Sequence, residues 1–190
     1  MVKMYFDLDL EKDELNNENS YLILIEFLHW IILKIKEKFN IFMLLDDFVI
    51  LNSTRMNKLS YHIVSNRKLC CENMHTLIEF IVYLSKEIEI ESNDYFIWFY
   101  KNKKRFIFDL IPYGKDQLFR MINQSKFGKD HILRLTDDTN INFIDTLVRI
   151  YDKKECIVNL IHSNRESIKE ARKEKKNQLM IKPIYLHKRL

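Results

Sequence analysis

Three aspartates carry the first chemical signal in this chain. Asp7 and Asp9 stand two residues apart in the apolar run "MYFDLDL" at residues 4–10. Side chains two apart on a strand share a face, so these carboxylates project together, about 7 Å apart along the backbone. Phe6, Leu8 and Leu10 then turn the other way, towards a core. Two like charges on one face repel unless a cation sits between them. A hard divalent ion such as Mg²⁺ takes carboxylate oxygens and keeps substrate phosphates in its shell. The competing reading is a polar-faced edge strand with two solvated aspartates. Asp109 ends a second strongly apolar run, "RFIFDLIPY". Three aspartates on neighbouring strands suit two divalent ions, which clamp the attacking and leaving oxygens of a phosphoryl transfer. Polymerases and nucleases share that logic.

The second signal is "KLSYHIV". Lys58, Ser60 and His62 alternate and so face one side of a strand. An ammonium, a hydroxyl and an imidazole are donors suited to phosphate oxygens. A serine hydrolase would hold its serine on a sharp exposed turn with a separate base, which a serine and a histidine on one strand face do not provide. The competing reading is an exposed polar strand face.

Positioning these residues requires a sheet. Residues 3–10 read as a strand, followed by a polar connection with Ser20 as N-cap and a helix over 21–39. Short strands follow at 46–53 and 59–65, then a helix over 73–87. Strands at 95–100 and 105–111 form a hairpin through "KNKK". A loop holding both glycines leads to a strand at 131–135, a helix over 140–151 and a charged helix over 164–180. The spacing predicts one α/β (α+β) domain over residues 1–160, with a mixed or antiparallel sheet flanked by helices, and a basic helical tail over 161–190.

Composition bounds the rest. The chain has 190 residues, 47% of them hydrophobic, enough for one domain with a real core and too apolar for disorder. Cys70 and Cys71 are adjacent and Cys156 stands alone; this is no disulfide framework, so a reducing, intracellular compartment is expected. Asp7 and Asp9 interrupt any apolar leader. The longest apolar region, residues 21–39, contains Glu26, His29 and Lys34 and reads as a core helix rather than a membrane span. Charge is uneven. Residues 163–190 carry nine Lys/Arg against three Asp/Glu, and residues 101–134 carry the same, within an overall net charge of +4. Such stretches fit a polyanionic partner or a solvated face.

The order of motifs, Asp-x-Asp, then Ser-x-His, then Asp on a later strand, resembles the catalytic core of the archaeo-eukaryotic primase superfamily. It lies closer to the PrimPol and viral primase branch than to the replicative small subunit. "YFDLDLEK" is similar to that branch's first metal strand and "NKLSYHIV" to its Ser-x-His strand. "FDLIPYGKDQLFRMINQSKFGK" is similar to its pattern of Asp, Tyr four residues on, Phe-Arg, then Ser-Lys-x-Gly-Lys. "FIDTLVRI" resembles the segment that closes the core. The resemblance spans residues 3–150.

The resemblance implies a primase-polymerase core. Asp7, Asp9 and Asp109 would hold two Mg²⁺ or Mn²⁺ ions. Lys58, Ser60 and His62 would bind the triphosphate of an NTP or dNTP, and Arg120 and Lys126 would neutralise it. A 3′-hydroxyl would be the nucleophile. Single-stranded or primer-template DNA would be the partner, with a replicative helicase as a further one and no membrane. By charge, Lys129 and the basic turn at 101–105 would reach nucleic-acid phosphates. The expected setting is the nucleus or cytoplasm, or a viral system.

The chain also departs from the pattern. Asp9 stands where eukaryotic members usually have Glu, and Leu118 where a polar residue often precedes Phe-Arg. Larger relatives have a segment upstream of the first metal strand. Cys70, Cys71, His75, Cys156 and His162 do not make a four-ligand zinc site, so no zinc is expected, and primer extension is favoured over priming. Cys70 and Cys71 read as helix-start residues. Two other functions compete: a non-catalytic nucleic-acid-binding remnant of the fold, and a two-metal nuclease. The nuclease leaves Ser60, His62, Arg120 and Lys126 unexplained.

Overall fold

The computed structural model describes residues 1–11, 17–55, 58–66, 69–91, 96–100, 103–114, 117, 119–136, 141–149 and 159–162. The order of elements is β1 (Val2–Lys3), β2 (Tyr5–Glu11), α1 (Asn17–Phe39), β3 (Phe48–Asn52), β4 (Lys58–Ser65), β5 (Leu69–Cys71), α2 (Met74–Ile90), β6 (Ile97–Tyr100), β7 (Lys103–Phe106), β8 (Arg134–Leu135) and β9 (Asn159–Ile161). The main sheet runs β2-β4-β3-β8, antiparallel at every step. A smaller sheet, β1-β5-β9, is mixed: β1 pairs antiparallel with β5, and β9 parallel. The fold is therefore α+β with mixed and antiparallel sheets, as expected.

Alternation on β2 separates two faces. Phe6, Leu8 and Leu10 are buried, and Phe6 meets Phe27 of α1 edge to face at 5.6 Å. Phe27 also packs on Phe96 and Phe108, and Trp30 on Phe96. α2 lies against α1 through Phe39–Phe80 and through Lys34, whose ammonium meets Glu37, Glu87 and Glu91. α1 thus covers the side of β2 opposite Asp7 and Asp9. α1 stops at Asn40, which takes a left-handed φ of 55° and returns its N–H to the Lys36 carbonyl at 2.9 Å, a cap that Asn tolerates. α2 starts where Asn73 accepts the N–H groups of His75 and Thr76. Among the described residues no helix is long and apolar enough to cross a membrane.

Several expectations are corrected. α1 begins at Asn17, so Ser20 lies inside it and is not its cap. Cys70 and Cys71 are not helix-start residues: they form β5, fully buried between β1 and β9. The strand expected at 105–111 ends at Phe106, and that at 131–135 shortens to Arg134–Leu135. In place of the helix expected over 140–151, the described residues 141–149 hold one 3₁₀ turn, Phe143–Thr146. Tertiary bonding overrides the helical pattern there. The Lys3 ammonium, 1% exposed as a residue, takes the carbonyls of Ile144 and Asp145, which a helix would have used internally. The Lys3 N–H takes the Val148 carbonyl, and Arg149 bridges to Val2. The charged helix expected at 164–180 and the turn residues 101–102 lie outside the described residues, as do Leu118 and Cys156.

Candidate functional site

β2 and β4 build the site between them. Their register sets Asp7 opposite His62, Asp9 opposite Ser60 and Glu11 opposite Lys58. Residues directly opposite on an antiparallel pair share a face and touch, so both sequence motifs converge by pairing. The His62 Nε2 lies 3.2 Å from the Asp7 Oδ1. The Lys58 ammonium straddles the Asp9 carboxylate, 2.6 Å from each oxygen. It hydrogen-bonds to Oδ2, while the buried Oδ1 receives no hydrogen bond. Burial pushes the Asp9 carboxyl up from 3.8; Lys58 opposes that shift and Asp7 adds to it.

Asp109 arrives from the other side of β2. Phe108 bridges Leu8 antiparallel, the Asp109 N–H donates to the Asp7 carbonyl at 2.7 Å, and the Asp9 N–H donates to the Ile107 carbonyl at 3.1 Å. That register sets Asp109 opposite Asp7, on the same face. It does so from an irregular stretch beyond β7 rather than from a strand end. Two tyrosines fix this stretch. The Tyr113 hydroxyl donates to the Tyr5 carbonyl at 2.7 Å, and the Tyr5 hydroxyl donates to the Pro112 carbonyl at 3.1 Å. Tyr113 is held neutral by burial first, then by Tyr5 and the charges of Asp7 and Asp109.

The 119–120 segment closes over His62. Phe119 stacks on the imidazole at 4.2 Å and leans on Tyr5 at 4.6 Å. The Arg120 carbonyl lies 3.2 Å from the His62 Nδ1, and its guanidinium 3.3 Å from Nε2. A carbonyl only accepts, so Nδ1 carries a proton, while Nε2 faces both the Arg120 guanidinium and the Asp7 carboxylate. His62 is only 2% exposed. The polar face of β4 is thus an internal wall, not a solvated surface.

Beside this wall opens a cleft of about 170 Å³ lined by Lys58, Ser60, Arg120, Lys126 and Lys129, and also by Ser53, Arg55 and His131. Five of the eight lining residues are cations, and the rest are hydroxyls or imidazole, a lining fitted to an anion with several oxygens. Of the five residues expected to bind a triphosphate, Lys58, Ser60, Arg120 and Lys126 line the cleft; His62 does not, and instead lies buried against Arg120. Lys129, singled out by charge, also lines it. Ser53, Arg55 and His131 went unnoticed in the sequence. The first two come from the β3–β4 hairpin, closed by Arg55 and Lys58 exchanging backbone bonds of 2.9 and 3.0 Å. Arg55 then reaches His131 at 3.0 Å. A hairpin signal before "KLSYHIV" could have flagged Arg55; nothing local flags His131.

The carboxylates are hard oxygen donors on one face, and the buried Asp9 Oδ1 has an unfilled hydrogen-bond capacity. Their chemistry fits a divalent cation. Their arrangement keeps them engaged: Asp9 with Lys58, Asp7 with His62, and Asp109 with the Ile111 N–H at 2.9 Å. Accordingly, among the described residues no group of three or more His, Cys, Asp or Glu is disposed to hold a metal ion. A cation would enter by taking Asp9 from Lys58. No protein-family model and no curated protein matches the chain.

Proposed function

We propose that this chain is a nucleotidyltransferase of the primase-polymerase type, extending a nucleic-acid primer from NTPs or dNTPs. The observation that carries this reading is the cationic cleft lined by Lys58, Ser60, Arg120, Lys126 and Lys129, directly beside the strand pair that bears Asp7 and Asp9. Triphosphate and catalytic carboxylates need that adjacency, because phosphoryl transfer is mostly positioning and charge neutralisation. In this reading Asp7, Asp9 and Asp109 hold Mg²⁺ or Mn²⁺, which would activate the 3′-hydroxyl and neutralise the departing pyrophosphate. Lys58, Arg120 and Lys126 bind the triphosphate oxygens, and Ser60 donates a hydroxyl. His62 keeps Arg120 oriented through the contacts on both ring nitrogens.

Primer extension on a primed single-stranded template tests it. Wild type extends the primer only with a divalent ion, and Asp7→Ala or Asp109→Ala lowers extension by at least about 10³-fold, the scale of losing a principal transition-state contact. Extension retained in both variants overturns the assignment. The engagement of Asp9 by Lys58 favours a second reading, a nucleic-acid-binding remnant without catalysis; strand binding with no extension in wild type would establish it. Cleavage of DNA without nucleotides would point instead to a nuclease.

A further inference from the structure

From Asn123 to Ile132 every residue is exposed. The chain turns back on itself there: the Asn123 N–H donates to the Leu133 carbonyl, the Leu133 N–H to the Gln124 carbonyl, and Ser125 bridges Ile132. At the tip the Lys129 N–H returns to the Lys126 carbonyl at 2.9 Å, with Phe127 and Gly128 at the two central positions. Gly128 has φ +69°, the left-handed conformation that the third residue of such a turn requires. The turn directs Lys126 and Lys129 to the cleft lining and leaves Phe127 wholly in water, at 106% relative exposure. No other exposed large hydrophobic residue among those described is as bare. A phenyl ring that packs on nothing adds nothing to the fold.

We propose that this arm grips a single-stranded nucleic acid at the mouth of the cleft, Phe127 stacking on an unpaired base while Lys129 meets a neighbouring phosphate. The proposal deepens the reading above and rests on its nucleic-acid partner, but not on catalysis. Charge selects the occupant. The cleft wall beside the ring is cationic at Arg55, Arg120, Lys126 and Lys129, whereas the arm itself carries one acid, Asp130. A single strand supplies both an anionic backbone and flat π-faces, the pairing that stacking platforms in basic grooves use. An acidic peptide would satisfy the charge and leave the ring in water.

Fluorescence anisotropy of a labelled oligothymidine, with the full chain and with neither nucleotide nor divalent ion, tests this. Phe127→Ala weakens binding by about 5- to 100-fold, the scale of losing one stacked base. Phe127→Trp binds as wild type and gains an emission that the strand quenches. An abasic strand of equal length binds wild type and Phe127→Ala alike. Equal binding of oligothymidine by wild type and Phe127→Ala overturns the proposal, and so does polyglutamate competing in a Phe127-dependent way. The two readings separate cleanly. A chain that binds through Phe127 but extends no primer loses only the polymerase assignment. A chain that extends primers with Phe127→Ala binding unchanged loses only this one.

Discussion

Asp9 is where chemistry and stability conflict. Burial raises its carboxyl above the ordinary 3.8, against the pull of Lys58. A group whose folded pKa is raised holds its proton longer in the native state. Stability therefore falls as pH climbs from the ordinary value through the raised one. Asp9→Asn keeps an acceptor for Lys58 without the buried charge, and is expected to melt at or above the wild-type temperature near about pH 7. The difference shrinks as pH drops towards the ordinary carboxylate value of 3.8, as the wild-type carboxyl takes up its proton. Thermal melts at both pH values decide it. Destabilisation by about 3 kcal/mol or more would instead mark a structural ion pair. At this scale the sequence was informative where period two applies: Asp7, Asp9, Ser60 and His62 face as alternation requires. It was silent on the stacking of Phe119 against His62 and on His131, contacts that span long stretches of chain.

Between elements, the α1–α2 junction turns on Lys34. Its side chain is 5% exposed and meets Glu87 and Glu91 of one segment and Glu37 of its own helix. Glu91 also accepts from the Trp30 indole at 2.7 Å. Burial opposes the Lys34 charge, but the three carboxylates hold its pKa well above normal. Lys34→Met leaves those carboxylates facing one another and is expected to cost about 3 kcal/mol, the low end for a broken buried pair because Glu37 and Glu91 reach water. Urea denaturation measures it; no loss would mean that solvent screens the cluster. Both long helices were legible because their apolar positions recur over several turns. The 140–151 segment was not, since its seven apolar residues fit a helix equally well, and Lys3 decides the matter from far away in the chain. β5 escaped notice for a similar reason: three residues carry no period.

Across the whole molecule, the charge that composition could only suggest is gathered at one cleft, by segments near residues 55, 58, 120, 126 and 129. Strand binding should then fall steeply with salt. Removing one phosphate-contacting cation, as in Lys129→Ala, should flatten the slope of log K against log salt by about 0.7. An unchanged slope would leave Lys129 off the strand. The net charge of +4 is too small to predict this, because position rather than sum creates the local field.

The paired tyrosines have a kinetic consequence. Tyr113 and Tyr5 are 108 residues apart, and the same long closure brings Asp109 to Asp7. Loop entropy must be overcome before that contact gives anything back, and folds dominated by distant contacts form slowly. A growing polypeptide can complete α1, the β2–β4 pair and α2 well before Tyr113 is made. During synthesis the molecule therefore passes through a stage with much of its scaffold and none of its completed carboxylate face, which assembles only once the closure between Tyr5 and Tyr113 forms.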